Sequence, residues 1–141
     1  MKHMSVVFAS ALIALVALGC SSGDDKSPTG AFKTYLRLVY LDKDEQAWEM
    51  VHAPDRARLL EAHKQLEAAG IQPPSSEHKA LLIRTIYSPY ALKSVELVEP
   101  ISEAPSKGDV AKVRFELRDG REGFARLIWA DGAWQLKLYG A

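Results

Sequence analysis

The sequence predicts an α+β domain: N-terminal helices packed on a curved antiparallel β-sheet. Two observations carry the prediction. Apolar residues recur at helical spacing from Ala31 to Ala69, and from Leu92 onward the period changes to two. Two Asp-Gly pairs, Asp119-Gly120 and Asp131-Gly132, then punctuate the second half as hairpin turns.

The chain opens on a leader. Lys2 is its only charged residue, an apolar block runs from Val6 to Leu18, and Gly19-Cys20 is followed by the polar Ser21-Ser22-Gly23-Asp24-Asp25. Thirteen residues are too few to span a bilayer, which takes roughly twenty, and have the length of a signal-peptide core. Ala17-Leu18-Gly19-Cys20 resembles the lipobox of a bacterial lipoprotein. Leucine usually stands three before the cysteine; here Ala17 does, while the small Gly19 fits the position next to it. The resemblance implies that Cys20, the chain's single cysteine, is lipidated and becomes the first residue of the mature protein. It also implies palmitate-type acylation and attachment to the membrane, each buried methylene contributing about 0.8 kcal/mol. By analogy with lipoproteins of enteric bacteria, Ser21 rather than Asp after the cysteine points to the outer membrane, on its periplasmic face.

Residues 1–19 are thus read as signal peptide, 20–27 as lipidated cysteine and flexible tether, and 28–141 as a single α+β domain. Removing 19 of 141 residues leaves 122, enough to bury a core. Of eighteen Lys and Arg only Lys2 is lost, so seventeen face eighteen Asp and Glu, a net of −1. That balance excludes an electrostatic case for nucleic acid. With Cys20 lipidated, no thiol remains for a disulfide or a thiolate metal site. The polar tether Ser21–Lys26 reaches roughly 20 Å at about 3.4 Å per residue.

Ser27-Pro28 opens the first helix, serine as cap and proline at the first position, with Ala31, Phe32, Tyr35, Leu36, Leu38 and Val39 following. Asp42-Lys43-Asp44-Glu45 has the capping-box spacing ahead of Ala47, Trp48 and Val51, which predicts a short second helix. Pro54 restarts the chain; Leu59, Leu60, His63, Leu66 and Ala69 mark a third helix ended by Gly70. Pro73-Pro74 breaks it, and the segment around Ala80–Ile86 leaves helix and strand open, with helix preferred.

Val95 and Leu97 begin a strand, with Pro100 at its bend or edge. Val113, Phe115 and Leu117 alternate with Lys112, Arg114 and Glu116. A three-residue loop, Arg118-Asp119-Gly120, pairs Phe115 with Gly123 and Val113 with Ala125, whereas a two-residue loop would mix faces. At Asp131-Gly132 a two-residue loop places Trp129 opposite Trp134, Leu127 opposite Leu136 and Ala125 opposite Leu138.

This order of elements, the helical start with Trp48, the strand 111–117 and the closing Asp131-Gly132-Ala133-Trp134-Gln135-Leu136 resemble the nuclear transport factor 2-like superfamily, and within it small bacterial lipoproteins. The resemblance spans roughly residues 28–139 and is weakest over 70–90. It implies a cone, a bent sheet wrapped around helices, in a superfamily of isomerases, dehydratases, ligand binders and interaction modules. Fold alone does not choose among them.

Acid–base chemistry in such a cone needs titrating groups that point inward. The inward set (Val113, Phe115, Leu117, Gly123, Ala125, Leu127, Trp129, Trp134, Leu136, Leu138) contains none. Lys112, Arg114, Glu116, Glu122, Arg126 and Lys137 alternate outward. Helical candidates are His52 and His63, each read first as packing; His78 is read as exposed. No two histidines have the i, i+4 spacing of a zinc pair and no glycine-rich phosphate loop occurs, so neither metal nor cofactor is expected. Trp48, His52, His63, Phe115, Trp129 and Trp134 are the candidate pocket residues, with Tyr35, Tyr87 and Tyr90 as further aromatic lining.

The expected function is a lipid-anchored cell-envelope domain of non-catalytic type, binding a partner protein or a small apolar ligand. An isomerase- or hydratase-like enzyme with His52 or His63 as base is the alternative. A third reading is a structural envelope subunit, a homodimer joined through the outer face of the sheet.

Overall fold

The computed structural model describes residues 26–71 and 89–140. The leader, Cys20, Pro73-Pro74, the segment around 80–86, His78 and Tyr87 lie outside the described residues. Three helices come first: α1 (Pro28–Tyr40), α2 (Asp44–Glu49) and α3 (Ala53–Ala68). A short 3-10 turn, Pro89–Ala91, leads into β1 (Leu92–Leu97), followed by β2 (Val110–Leu117), β3 (Glu122–Ala130) and β4 (Ala133–Lys137). The strands form one antiparallel sheet in the order β1-β2-β3-β4, an open meander. The α+β class is as predicted. Among the described residues no helix is long and apolar enough to cross a membrane.

The start of α1 follows from its sequence. The Gly30 N–H donates to Ser27 Oγ at 3.0 Å, and Pro28, which has no N–H to lose, occupies the first turn. Ala31, Phe32, Tyr35 and Leu36 form one buried stripe, since residues four apart share a helix face. The end of α1 corrects the expected capping box. Asp42 adopts a left-handed backbone, φ 55°; its N–H donates to Val39 O at 3.1 Å, and the Lys43 N–H donates to Leu38 O at 2.9 Å. This pair of bonds closes a helix C-terminus, so the backbone of Asp42 ends α1. Lys43, without a side-chain cap bond, therefore precedes α2. Asp44 and Glu45 still place negative charge at the amino end of α2, where the helix dipole favours it.

α3 ends by the same device in the form the sequence predicts: Gly70 has φ +74°, and the Ile71 N–H donates to Leu66 O at 2.9 Å. Its flank differs from expectation. Leu66 is exposed and Leu59 and Leu60 are half-buried, so the apolar face assigned to His63 is incomplete. Only Asp55 and His63 are buried along α3.

Both hairpins have the predicted register. Phe115 pairs with Gly123 and Val113 with Ala125, which leaves the three-residue loop with Gly120 at φ +90°. The Leu117 N–H donates across it to Arg121 O at 2.7 Å. Asp131 (φ 53°) and Gly132 (φ +75°) form a two-residue turn with both residues left-handed, which matches the twist of the strands. Trp129 faces Trp134 and Leu127 faces Leu136. The expected pair of Ala125 and Leu138 falls past the end of the ladder, which closes at Arg126–Lys137; the Leu138 N–H, directed away from β3, donates to Asp55 Oδ2 at 2.6 Å. β1 carries a bulge: Leu92 faces Leu117 and Ser94 faces Glu116, so Lys93 is extra. Pro100 lies beyond the end of β1, an edge strand of the sheet.

The core lies between α1 and the inner face of the sheet, where Val113, Phe115, Leu117, Leu127, Trp134 and Leu136 meet Phe32, Tyr35 and Leu36, with Ala47 and Val51 closing one side. Phe32 and Phe115 stack with centroids 5.4 Å apart. A Cβ on Gly123 would lie 2.4 Å from Phe115 Cζ, so the glycine is what lets that ring lie over β3.

The link between α2 and α3 adds to the far side of β4. Val51 forms a parallel bridge with Leu136; the Leu136 N–H donates to Met50 O at 2.7 Å and the His52 N–H donates to Leu136 O at 2.8 Å.

Candidate functional site

Each candidate pocket residue now has a place. Trp48 is buried on α2. His52 is half-buried at the position preceding α3, its Nδ1 3.3 Å from Gln135 Oε1 on β4. His63 is buried on α3, with Nε2 3.2 Å from Glu67 Oε1 one turn on. Eleven positions separate the two histidines, roughly 16 Å along a helix axis at about 1.5 Å per residue. They therefore cannot act on one atom. Trp129 and Trp134 meet edge to face at 5.4 Å across the second hairpin. Phe115 lies inside, against Phe32. The structure thus joins Trp129 to Trp134 and His52 to β4, and gathers no single cluster of all six.

Tyr35, expected as pocket lining, is wholly buried in the core. Its hydroxyl has no hydrogen-bond partner among the described residues, and burial pushes its pKa up to about 12. It stays neutral at ordinary pH. Tyr90 instead stands 72% exposed.

Among the described residues, two cavities offer space for a ligand. The smaller cavity, about 370 Å³, lies by the C-terminal chain, between Phe32, Phe115, Ala125 and Leu138. Arg126 closes its rim by donating to Gly140 O, and Lys137 donates to Tyr139 O. Phe115 is the candidate pocket residue that lines it.

The larger cavity, about 520 Å³, is a groove between the second half of α1 and the bulged strand β1. Tyr40, Leu41, Tyr90, Leu92 and Val95 supply its apolar wall. Tyr40 and Tyr90 meet edge to face at 5.2 Å. The Tyr90 turn is fixed to β2 because Arg118 Nε donates to Tyr90 O at 2.9 Å and the Arg118 N–H to Ala91 O at 2.8 Å. Lys33, Arg37 and Lys93 line the same groove, and among the described residues no carboxylate does. Lys93 is held by Glu116 at 2.9 Å. Lys33 and Arg37 are exposed, one turn apart on α1.

The outer face of the sheet is charged as predicted, and its charges answer one another. Glu116 and Glu122 face each other across β2 and β3, and their repulsion is offset by Lys93 on the first and Arg114 on the second. The Glu122 carboxylate beside it holds the Arg114 guanidinium above its ordinary pKa. Lys112 lies over the Phe124 ring, 4.2 Å from its centroid.

The buried carboxylate Asp55 escaped the sequence reading. It sits in the first turn of α3 and accepts from the Leu138 N–H at 2.6 Å and the Tyr139 N–H at 3.4 Å. Arg58 of the same helix lies 5.7 Å from the Tyr139 ring. The local signal, an acid after Pro54 at a helix start, reads equally well as an exposed residue favoured by the dipole. Lys33 and Arg37 also escaped, as ordinary members of a polar helix face. Among the described residues no three His, Cys, Asp or Glu side chains gather as metal ligands.

No protein-family model matches this chain, and neither a curated protein nor a solved structure is similar enough to match.

Proposed function

We propose that this chain is a lipid-anchored domain of the bacterial cell envelope, non-catalytic, with a nuclear transport factor 2-like cone that binds a small ligand. The observation that carries the binding role is the 520 Å³ groove between α1 and β1, which falls in the size range of small-molecule sites. The helices-then-meander order supports the cone. The anchor rests on the apolar leader and Cys20, with Ser21 favouring the outer membrane. The interior supports binding at the rim over chemistry within. Large side chains fill it, and Asp55 is engaged by backbone amides. The test has two arms. Wild type should incorporate labelled palmitate and fractionate with membranes, whereas Cys20→Ala should lose the label and accumulate as precursor. A mature wild-type protein with a free thiol would refute the anchor.

The His63–Glu67 pair favours a second reading, an isomerase- or hydratase-like enzyme. A folded His52→Ala/His63→Ala double variant that fails to rescue a deletion phenotype, where wild type does, would favour that enzyme or another histidine-dependent site.

A further inference from the structure

We infer that the groove between α1 and β1 takes a monomeric anionic amphiphile, its acidic group on Lys33 and Arg37 and its apolar body along Tyr40, Leu41, Tyr90 and Val95. This deepens the binding role proposed above and rests on it. Charge favours an anion here. Lys33 and Arg37 stand at i and i+4 on α1, so both side chains rise from one face. Neither makes an ion pair or a side-chain hydrogen bond with a described residue, and among those residues no carboxylate lines the groove. This contrasts with the outer face of the sheet, where Lys93 and Arg114 are each matched to a glutamate. A guanidinium and an ammonium side by side suit a carboxylate or phosphate, which accepts from both.

The wall of the groove favours an apolar body. Tyr40 and Leu41 are about half exposed (52% and 51%) and Tyr90 more so, and they cluster at one end of the groove. The edge-to-face contact of Tyr40 with Tyr90 and the two bonds from Arg118 hold this apolar end in place before any ligand arrives. Such prior order lowers the cost of binding. The acidic and apolar demands lie along one groove, which excludes a purely polar anion and a purely apolar oil.

The probe is dodecanoate carrying a photoreactive diazirine, offered to the lipidated full chain held in phosphatidylcholine nanodiscs. A trimethylammonium analogue of the same length is the control. The dodecanoate probe should crosslink within 28–41 and 89–97, and the cationic analogue should label these segments at least about tenfold less. Lys33→Glu with Arg37→Glu should cut labelling about tenfold or more, while far-ultraviolet circular dichroism stays unchanged. Tyr40→Ala should reduce labelling by both probes alike. Equal labelling by the two probes, no effect of the charge reversal in a folded variant, or crosslinks confined to the cleft at Phe115 and Leu138 would each overturn the inference. The last outcome would leave the proposed ligand-binding function standing. Loss of dodecanoate labelling on changing the disc to phosphatidylglycerol would also overturn it, by assigning the cations to a bilayer surface. A chain that is not lipidated yet is still labelled in the groove would remove the envelope reading and keep this one.

Discussion

α1 and α3 are built from similar local signals and are held by different forces. Both begin with a proline in the first turn and end at a left-handed residue whose neighbours close the last carbonyls. α1 then buries Phe32, Tyr35 and Leu36 against the sheet, an apolar contact each member of which contributes roughly 1.5–3 kcal/mol. α3 buries Asp55 and His63. Its position is set near its N-terminus by hydrogen bonds: Asp55 to the C-terminal chain, and the backbone of His52 to Leu136. A helix packed by area is fixed along its length, whereas one fixed by a few directional bonds is fixed where those bonds are. Local stability should follow that division.

The strongest test strikes the apolar side. Trp134→Ala removes a 2%-exposed ring that faces Trp129, and the domain should lose about 3–5 kcal/mol in denaturant titrations. A loss below about 1 kcal/mol would break the claim that the sheet and α1 share one packed core.

Asp55→Ala strikes the polar side and should cost about 1–3 kcal/mol, since it leaves the Leu138 and Tyr139 amides without their acceptor. Hydrogen exchange should then quicken through α3 and residues 138–139, with α1 protected as before. Equal acceleration in both helices would show that the two are one cooperative unit.

The two helix ends give a smaller, matched pair. Gly70→Ala should cost about 1 kcal/mol, because no atom crowds the site and only the left-handed backbone resists the new side chain. Asp42→Gly relieves the same strain at φ 55° but also removes a side chain that has an interaction of its own, so the two effects should offset and leave stability within about 0.5 kcal/mol of wild type. A larger loss would mean that the side-chain interaction outweighs the backbone strain. Thermal unfolding of the two variants beside wild type reads both changes.

Both hairpins were legible in the sequence, save the Ala125–Leu138 pair; the bulge at Lys93 in β1 was not. Because side chains alternate strictly along a strand, the parity of a hairpin loop decides which residues share a face, and Val113, Phe115 and Leu117 could share one with Ala125 and Leu127 only across an odd loop. The same logic placed Trp129 against Trp134. α1 was legible for the companion reason, an apolar stripe behind a Ser-Pro start. Asp42 was misread because two helices compete for one residue, and the sequence does not say which will have it. Asp55 was missed because its partners lie more than eighty positions away and only the tertiary fold brings them back. The groove was missed for a similar reason. Lys33 and Arg37 form an ordinary polar flank until β1 and the Tyr90 turn before it arrive beside them.

The strip Met50–His52 against β4 has a consequence for assembly. Sheets that stack edge to edge without limit need every copy to offer one edge and receive on the other. On β4 the Leu136 amide and carbonyl are already answered by Met50 and His52, and the next outward amide, at Leu138, by Asp55. Among the described residues, a further strand laid against β4 would therefore have to displace these bonds.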